Sequence, residues 1–339
     1  EDNIMPRVSI ILPVYNKEEY LDNTLSLLIT QSFQDWELII IDDGSTDNSS
    51  KIARKYAFGD DRIKVISQEN KGVSAARNQG INNASGEWIW FVDADDMPNK
   101  EFLRNVFLYN FPNDIDIIAG KYERLEKDGS IQKVAIEEKG YISSEQFPDI
   151  FMKYQYVTGY WGYLWNKLIN RQRLMRCSIR FQEGVTLAED LQFMVALYRQ
   201  DVKLICVSYF AMRYTVDSNN SSTRKKIDYL SQLEIQLEIK EWIIDCEKRV
   251  ERIEFFEKII SSYAAFVIFY GYEDDISCIE LSKTLLNNPH VVSQLSTKDI
   301  EHTMLPIVWC LKKKKVFIMN VYLYLRKILK NICKMLKRD

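Results

Sequence analysis

"WFVDADDMP", residues 90–98, decides the fold. Five apolar or aromatic residues, Trp88 to Val92, run directly into three carboxylates within four positions, Asp93, Asp95 and Asp96. A short continuous apolar run is the pattern of a strand buried on both faces. Charges at the edge of such a strand are costly unless a cation, a ligand or backbone donors take them up. The end of this strand therefore reads as a binding place.

Upstream the same pattern repeats. "VSIILPVY" (8–15), "WELIIIDD" (36–43) and "RIKVISQ" (62–68) are short β-branched runs. Between them Leu21, Leu25 and Leu28 keep helical spacing, as do Ile52 and Tyr56, and "GVSAARNQGINNA" (72–84) is compatible with a helix. A βαβ series predicts a mostly parallel sheet flanked by helices, with ligands at the carboxyl ends of the strands. Asp42 and Asp43 end the second strand, Asp93 and Asp95 the fourth. Downstream, 114–136 reads as a hairpin turning at Asp128-Gly129. Short helices are expected around "GYWGYLWNKLINR" (159–171) and "GVTLAEDLQF" (184–193), then a strand, "KLICVSYFAMRYTV" (203–216). After about Lys225 helical periodicity takes over. The expected organisation is an α/β domain over 5–225 and a smaller helical region over 226–339.

With 339 residues, 46% of them hydrophobic and 27% charged, the chain can bury a large core. Six scattered Cys and two His, with no CxxC, suggest neither a zinc site nor a disulfide framework, which fits a reducing cytoplasm. The N-terminus shows no basic and apolar leader pattern, and the longest uncharged run, Ile259 to Tyr272, is too short to span a bilayer. No G-x-G-x-x-G follows the first strand and no G-x-x-x-x-G-K-[ST] occurs, which argues against a nicotinamide dehydrogenase and a P-loop ATPase. Both His lie outside the α/β part, against a Ser-His-Asp hydrolase. No nucleic-acid partner is expected. Residues 312–339 hold ten Lys/Arg and one acid, while the first 311 hold 35 basic against 47 acidic residues, a net of −12. The tail is a separate electrostatic object.

"SIILPVYNKEEYL", "IIIDDGSTDNS", "NKGVSAARNQGI", "WFVDADDMP", "LWNKLINR" and "AEDLQF", in this order, resemble the bacterial family 2 glycosyltransferases with a GT-A fold, over roughly residues 5–220. The resemblance implies transfer of a sugar from a UDP-sugar to an acceptor hydroxyl with inversion, on a glycan or lipid-linked saccharide. It divides the first domain into a donor half, about 5–125, and an acceptor half, about 126–225. A pyrophosphate leaving group needs neutralisation, which Mn²⁺ or Mg²⁺ held by carboxylate and diphosphate oxygens supplies. Asp95 is the preferred metal ligand. By resemblance Asp93 faces the ribose or the metal's water shell, and Ala94 and Asp96 lie beside them; the same acids can equally cap the next turn. Asp42 can accept the uracil N3–H, and Pro13, Val14 and Tyr15 offer a stacking surface with Asn16 and Glu18 nearby. Asp43-Gly44-Ser45 can also be an ordinary strand-to-helix turn, and Tyr15 plain core. Gly72 permits close backbone approach, and Arg77 can pair with phosphate, with an aspartate of the 93–96 cluster, or in a structural ion pair.

Inverting transfer needs a carboxylate to take the acceptor proton. Asp190, opening a helix with Glu189 assisting, suits that, although an acid pair at a helix N-terminus is favourable anywhere. Trp161, Trp165 and Lys167 are acceptor-side candidates, the tryptophans either stacking on sugar or filling the core. Arg213, with Ser221 and Ser222 beyond it, can contact the diphosphate. Helical projection of the tail places Ile318, Val321, Tyr322, Leu325, Leu329, Ile332 and Leu336 on one side and Arg326, Lys327, Lys330, Lys334, Lys337 and Arg338 on the other. Such a helix, preceded by four lysines, can lie on an anionic membrane surface, or pack on the body with its basic face solvated. The expected location is cytoplasmic and peripheral on the inner face of the cell membrane, with self-association through the C-terminal region as a further partner expectation. The competing class is a non-catalytic GT-A-like module that binds nucleotide-sugar or glycan in a membrane polysaccharide assembly.

Overall fold

The computed structural model describes residues 5–336 apart from 110, 113, 186, 216–227 and 247–249. Ser221, Ser222, Lys337 and Arg338 therefore lie outside the described residues. The chain divides into two compact units, Glu1–Lys225 and Lys226–Asp339.

The first unit runs β1 (Val8–Val14), α1 (Leu21–Ile29), β2 (Trp36–Asp42), α2 (Ser49–Gly59), β3 (Ile63–Ser67), α3 (Val73–Asn83), β4 (Trp88–Phe91), β5 (Met97–Pro98), α4 (Phe102–Phe107) and β6 (Ile117–Leu125). It continues through β7 (Ile131–Val134), β8 (Gly140–Ile142), α5 (Phe147–Thr158), β9 (Lys167–Asn170), α6 (Arg171–Arg176), α7 (Glu189–Tyr198) and β10 (Leu204–Thr215). One sheet has the order β3-β2-β1-β4-β9-β6-β10-β5, with β7 on β6 and β8 on β10. β3, β2, β1 and β4 are parallel neighbours, as the βαβ reading requires. Every residue of β2 and β4, and all of β1 but one, is buried, because helices cover both faces and a parallel strand then has no wet side.

Beyond β4 the sheet is mixed. β9 lies antiparallel to both β4 and β6, whereas β6 and β10 are parallel. The sequence reading placed only short helices around 159–171. Turns occupy most of that stretch, but Lys167–Asn170 inserts as a four-residue strand at the centre of the sheet. The 114–136 hairpin forms as β6 and β7, closed by Glu126 and Ser130.

Two helices aim the candidate site. α1 buries Leu21, Thr24, Leu25 and Leu28, one face at helical spacing, and its Thr24 hydroxyl donates to the carbonyls of Ala94 (3.0 Å) and Asp96 (2.9 Å). The loop after β4 is thus moored to α1. α3 buries mostly small side chains, so it lies close against β1: a Cβ at Gly80 would come within 2.3 Å of Ile11. Arg77, one turn earlier, is carried to the carboxyl end of β4.

The second unit is helical, with helices at 229–246, 250–273, 278–286, 289–292, 305–312 and 316–336. Its core includes Leu233, Ile243, Phe256, Ile260, Ile268, Val308 and Leu311. The last helix seats Met319 and Leu323 in that core. Three of its cations also reach groups of the same unit at the surface: Lys327 pairs with Asp275 (2.7 Å), Lys330 with Glu273 (2.5 Å), and Arg326 donates to the Thr303 carbonyl (3.2 Å) over the Phe269 ring. Phe317, Ile318, Val321, Tyr324, Leu325, Ile328 and Leu329 are left exposed. The side chains of Lys327 and Lys330 stay 43% and 53% exposed, so the basic face remains in contact with solvent while it pairs with Asp275 and Glu273, as expected of a helix packed on the body. No helix among the described residues is long and apolar enough to cross a membrane.

Candidate active site

The carboxyl ends of β1, β2 and β4 meet in three loops whose polar side chains are largely committed to one another. Asp43, almost fully buried, accepts from the backbone N–H groups of Lys71 (2.9 Å) and Gly72 (2.8 Å) and from the Gln68 amide (2.7 Å). Its carboxylate ties β2 to the start of α3, where Gly72 takes a left-handed backbone at φ +90°. Asn16 and Glu18 are spent similarly. Asn16 accepts from Thr46 N (2.8 Å), and Glu18 accepts from the Asn48 backbone (2.9 Å) and amide (2.8 Å). Val14 is core. These contacts hold the three loops together, with Asn16 and Glu18 remaining exposed at their edge. Asp42 differs: Oδ1 accepts from Ser45 N (3.0 Å), while Oδ2 makes no hydrogen bond among the described residues. Tyr15 stands half exposed beside a partly exposed Pro13, so it is not core.

After β4, the Asp96 N–H donates to the Asp93 carbonyl (3.1 Å), closing the acidic turn. Ala94 is buried and its carbonyl taken by Thr24, which corrects its side chain to packing. The Arg77 guanidinium, 3% exposed, reaches Asp93 through Nη2 (2.9 Å) and both Glu189 (3.2 Å) and Asp190 (2.5 Å) through Nη1. Residues more than a hundred positions apart thus meet on one cation. Glu189 and Asp190 open α7 after Ala188, which adopts a left-handed backbone at φ 61°.

Lys17 Nζ lies 2.5 Å from Asp95 Oδ2. Five acids, Asp93, Asp95, Asp96, Glu189 and Asp190, therefore share two cations. Asp96 is buried, and its Oδ2 has no hydrogen-bond partner. Burial pushes its pKa well above the usual carboxylate range, and the charges of Asp93 and Asp95 push the same way. Asp190 is also raised, first by burial and then by Glu189 and Asp93, with Arg77 opposing. An excess of carboxylate around a buried, unpartnered acid fits a divalent cation, with Asp95 and Asp93 as its holders. Among the described residues no group of three or more His, Cys, Asp or Glu is placed to hold a metal ion by itself. A cation held by so few carboxylates would need further oxygens from a bound ligand.

The acceptor-side expectations are corrected. Trp161 is fully buried and donates to the Ile150 carbonyl (3.2 Å). Lys167 is fully buried and gives its ammonium to the Tyr160 (2.8 Å) and Tyr163 (2.6 Å) carbonyls and to Asn166 (2.8 Å). Trp165 is 3% exposed and packs in a triangle of rings, 4.8 Å from Tyr163 and 5.7 Å from Tyr214, which are 6.2 Å from each other. Those two partly exposed tyrosines were missed by the sequence reading, and both feel the acidic cluster. Burial raises the Tyr163 hydroxyl and Asp190 and Asp96 add to it; Tyr214 is pushed to about 12 by burial, with Tyr163, Asp96 and Asp95 adding. The only signal in the sequence was their place beside Trp165 and Arg213. Arg213 pairs with Glu123 on the neighbouring strand through Nε (2.9 Å) and Nη2 (2.7 Å), with its side chain 41% exposed.

Comparisons with known proteins agree with this arrangement. The chain is 32% identical over 198 residues to EpsJ of Bacillus subtilis strain 168, described as an uncharacterized glycosyltransferase, covering 58% of this chain and 57% of EpsJ. It is 29% identical over 229 residues to TarP of Staphylococcus aureus strain N315, a poly(ribitol-phosphate) beta-N-acetylglucosaminyltransferase, covering 65% and 67%. Across the curated relatives with the strongest likeness, the chain spans about half of their length. The crystal structure of S. aureus TarS 1-349 in complex with UDP-GlcNAc superposes with a TM-score of 0.65 at 19% identity, covering 91% of this chain and 88% of that one, and so shares its fold. Residues 9–177 match the sequence profile of glycosyl transferase family 2. The β1-to-β4 series, its acidic turn and that match together show that the chain belongs to glycosyl transferase family 2.

Proposed function

We propose that this chain transfers a sugar from a UDP-sugar to a hydroxyl of a glycan or lipid-linked acceptor, with inversion. The carrying observation is Arg77, which joins the acid after β4 to the acid pair opening α7. Asp42 Oδ2 accepts from the nucleobase, and Tyr15 offers it a face. Asp95 and Asp93 would hold a divalent cation, which when bound would supply neutralising charge to the diphosphate leaving group. Arg77 grips Asp190 by Oδ1, which leaves Oδ2, without a hydrogen bond among the described residues, for the acceptor hydroxyl. A carboxylate raised by burial is a stronger base than one in water, and Asp190 takes the proton on that account. Glu189 shares Nη1 and holds the guanidinium in register. TarS and TarP make UDP-GlcNAc the first donor to test.

The acceptor is proposed to be met at an anionic membrane surface. What supports this is the exposed apolar face of the last helix, too broad for the narrow seam of a two-stranded coil, directly after Lys312 to Lys315, all four of them exposed. The test of the reaction is UDP release from a panel of UDP-sugars with mixed glycan acceptors and Mn²⁺. Release that requires acceptor and stops in EDTA supports it. UDP-sugar binding without release under any condition would instead favour a scaffold.

A further inference from the structure

Lys17 takes no part in the scheme above, yet its charge lies on the carboxylate that matters most there. Its backbone is pinned: the N–H donates to the Ser49 hydroxyl (2.7 Å), and the carbonyl accepts from Tyr20 and Leu21. Only the four-carbon stem can swing. Its ammonium lies 2.5 Å from Asp95 Oδ2 and 5.7 Å from the centre of the Tyr20 ring, and the Lys17 and Asp95 side chains are 17% and 15% exposed. Arg77 is committed to Asp93, Glu189 and Asp190, and Asp96 has no partner, so Lys17 alone among the described residues neutralises Asp95.

We infer that Lys17 is a displaceable internal counter-ion. It holds Asp95 while no donor is bound, and it moves to the diphosphate when the nucleotide arrives. The inference rests on the proposed role of Asp95 toward a cation. An ammonium and a divalent ion drawn to one carboxylate repel each other, so before the nucleotide arrives Lys17 competes with the metal. Once diphosphate oxygens are within reach of the stem, the ammonium has somewhere else to go, and the same residue then strengthens the complex. Its influence on ligand binding therefore changes sign with the nucleotide. Free metal is kept off an idle site, and metal and nucleotide favour each other's binding reciprocally.

The test measures binding, with no turnover. Free Mn²⁺ is followed by electron paramagnetic resonance in titrations of the full chain and its Lys17→Met variant, with and without UDP, and UDP affinity is measured by calorimetry at saturating Mn²⁺. Lys17→Met should bind Mn²⁺ alone about tenfold more tightly, equivalent to about 1.4 kcal/mol, and should bind UDP in the presence of Mn²⁺ about tenfold more weakly. Lys17→Arg, which keeps the charge, should bind Mn²⁺ alone as the unaltered chain does. Equal or weaker Mn²⁺ binding by folded Lys17→Met overturns the inference while leaving the metal reading standing. Failure of both proteins to bind Mn²⁺ even with UDP overturns both.

Discussion

Replacing Arg77 by Lys keeps one positive charge and removes the fork. In the present site one nitrogen serves Glu189 and Asp190, at 3.2 and 2.5 Å, and the other serves Asp93 at 2.9 Å. A single ammonium on a shorter stem cannot span both sides, so at least one charge-assisted hydrogen bond is lost, worth about 1.5–3 kcal/mol. At 3% exposure, water cannot take over that bond. Arg77→Met leaves three carboxylates without their cation and should cost about 3–5 kcal/mol, a large part of a typical domain's stability. Since Arg77 also orients Asp190, Arg77→Lys should lose turnover by about 10²-fold, the scale of an ångström-level misplacement. UDP affinity should fall less than turnover, because Arg77 pairs with Asp93, Glu189 and Asp190 and with neither of the proposed nucleobase contacts, Asp42 and Tyr15. Urea unfolding near neutral pH, UDP calorimetry and UDP release at saturating donor read the three quantities. An Arg77→Lys protein within about 0.5 kcal/mol of the original stability, the range of ordinary surface changes, and with unaltered turnover would refute the bridging role.

Asp190→Asn keeps shape and removes basicity, so transfer should fall by about 10²–10⁴-fold with donor binding intact, whereas Asp42→Ala should weaken UDP binding first; turnover near the original level for Asp190→Asn would remove Asp190 from the mechanism. Glu37, buried in β2 against Ser9, Ser85 and Lys64, is lowered from 4.5 to about 2, those hydrogen bonds outweighing burial, the largest single influence, which acts in the opposite direction. A depressed carboxylate adds stability above its open-chain value and loses it as pH falls from 4.5 through 2, here about 3 kcal/mol. Glu37→Gln should lower the urea midpoint at pH 7 and flatten the acid side of the stability profile; an unchanged midpoint would refute this. Phe317→Ser combined with Leu325→Ser should abolish flotation with anionic liposomes while leaving the helix in place, since Met319 and Leu323 still seat it. Concentration-dependent dimerisation lost in the same variant would assign the apolar face to a second copy of the chain instead.

The parallel half of the fold was legible because buried strands carry the signal in every residue, and the acids that end them stand out against it. What failed to show were features set by partners distant in sequence. Lys167 and Asn166 are polar and fully buried because nearby carbonyls satisfy them, where a single sequence reads lysine as surface. β9, only four residues long in an aromatic-rich stretch, has too little length for its period to declare itself. Arg213 found Glu123 through the register of β6 and β10, ninety residues apart, which no local pattern encodes. Asn16 and Glu18 were rightly located at the site's edge, but their partners at 46 and 48 decide that they knit loops. In the last helix periodicity put Tyr322 on the apolar side, whereas its hydroxyl donates to the Thr303 carbonyl and accepts from Arg326. The pairing of Lys327 and Lys330 depended on Glu273 and Asp275 at the end of another helix.

The central position of β9 has a consequence for how the chain is made. Until residue 170 has left the ribosome, β4 lacks its second neighbour, and a fully buried strand, Trp88–Phe91, presents an open hydrogen-bonding edge. At roughly 5–20 residues per second, the gap of about 80 residues amounts to some 4–16 s during which a nascent chain with its first four strands formed is sticky. Folding of the donor-binding half cannot finish during its own synthesis. Translation pauses placed before this point would prolong the exposure, and those placed after it would be harmless, so synonymous changes that slow decoding between residues 91 and 170 should lower soluble yield more than equal changes elsewhere.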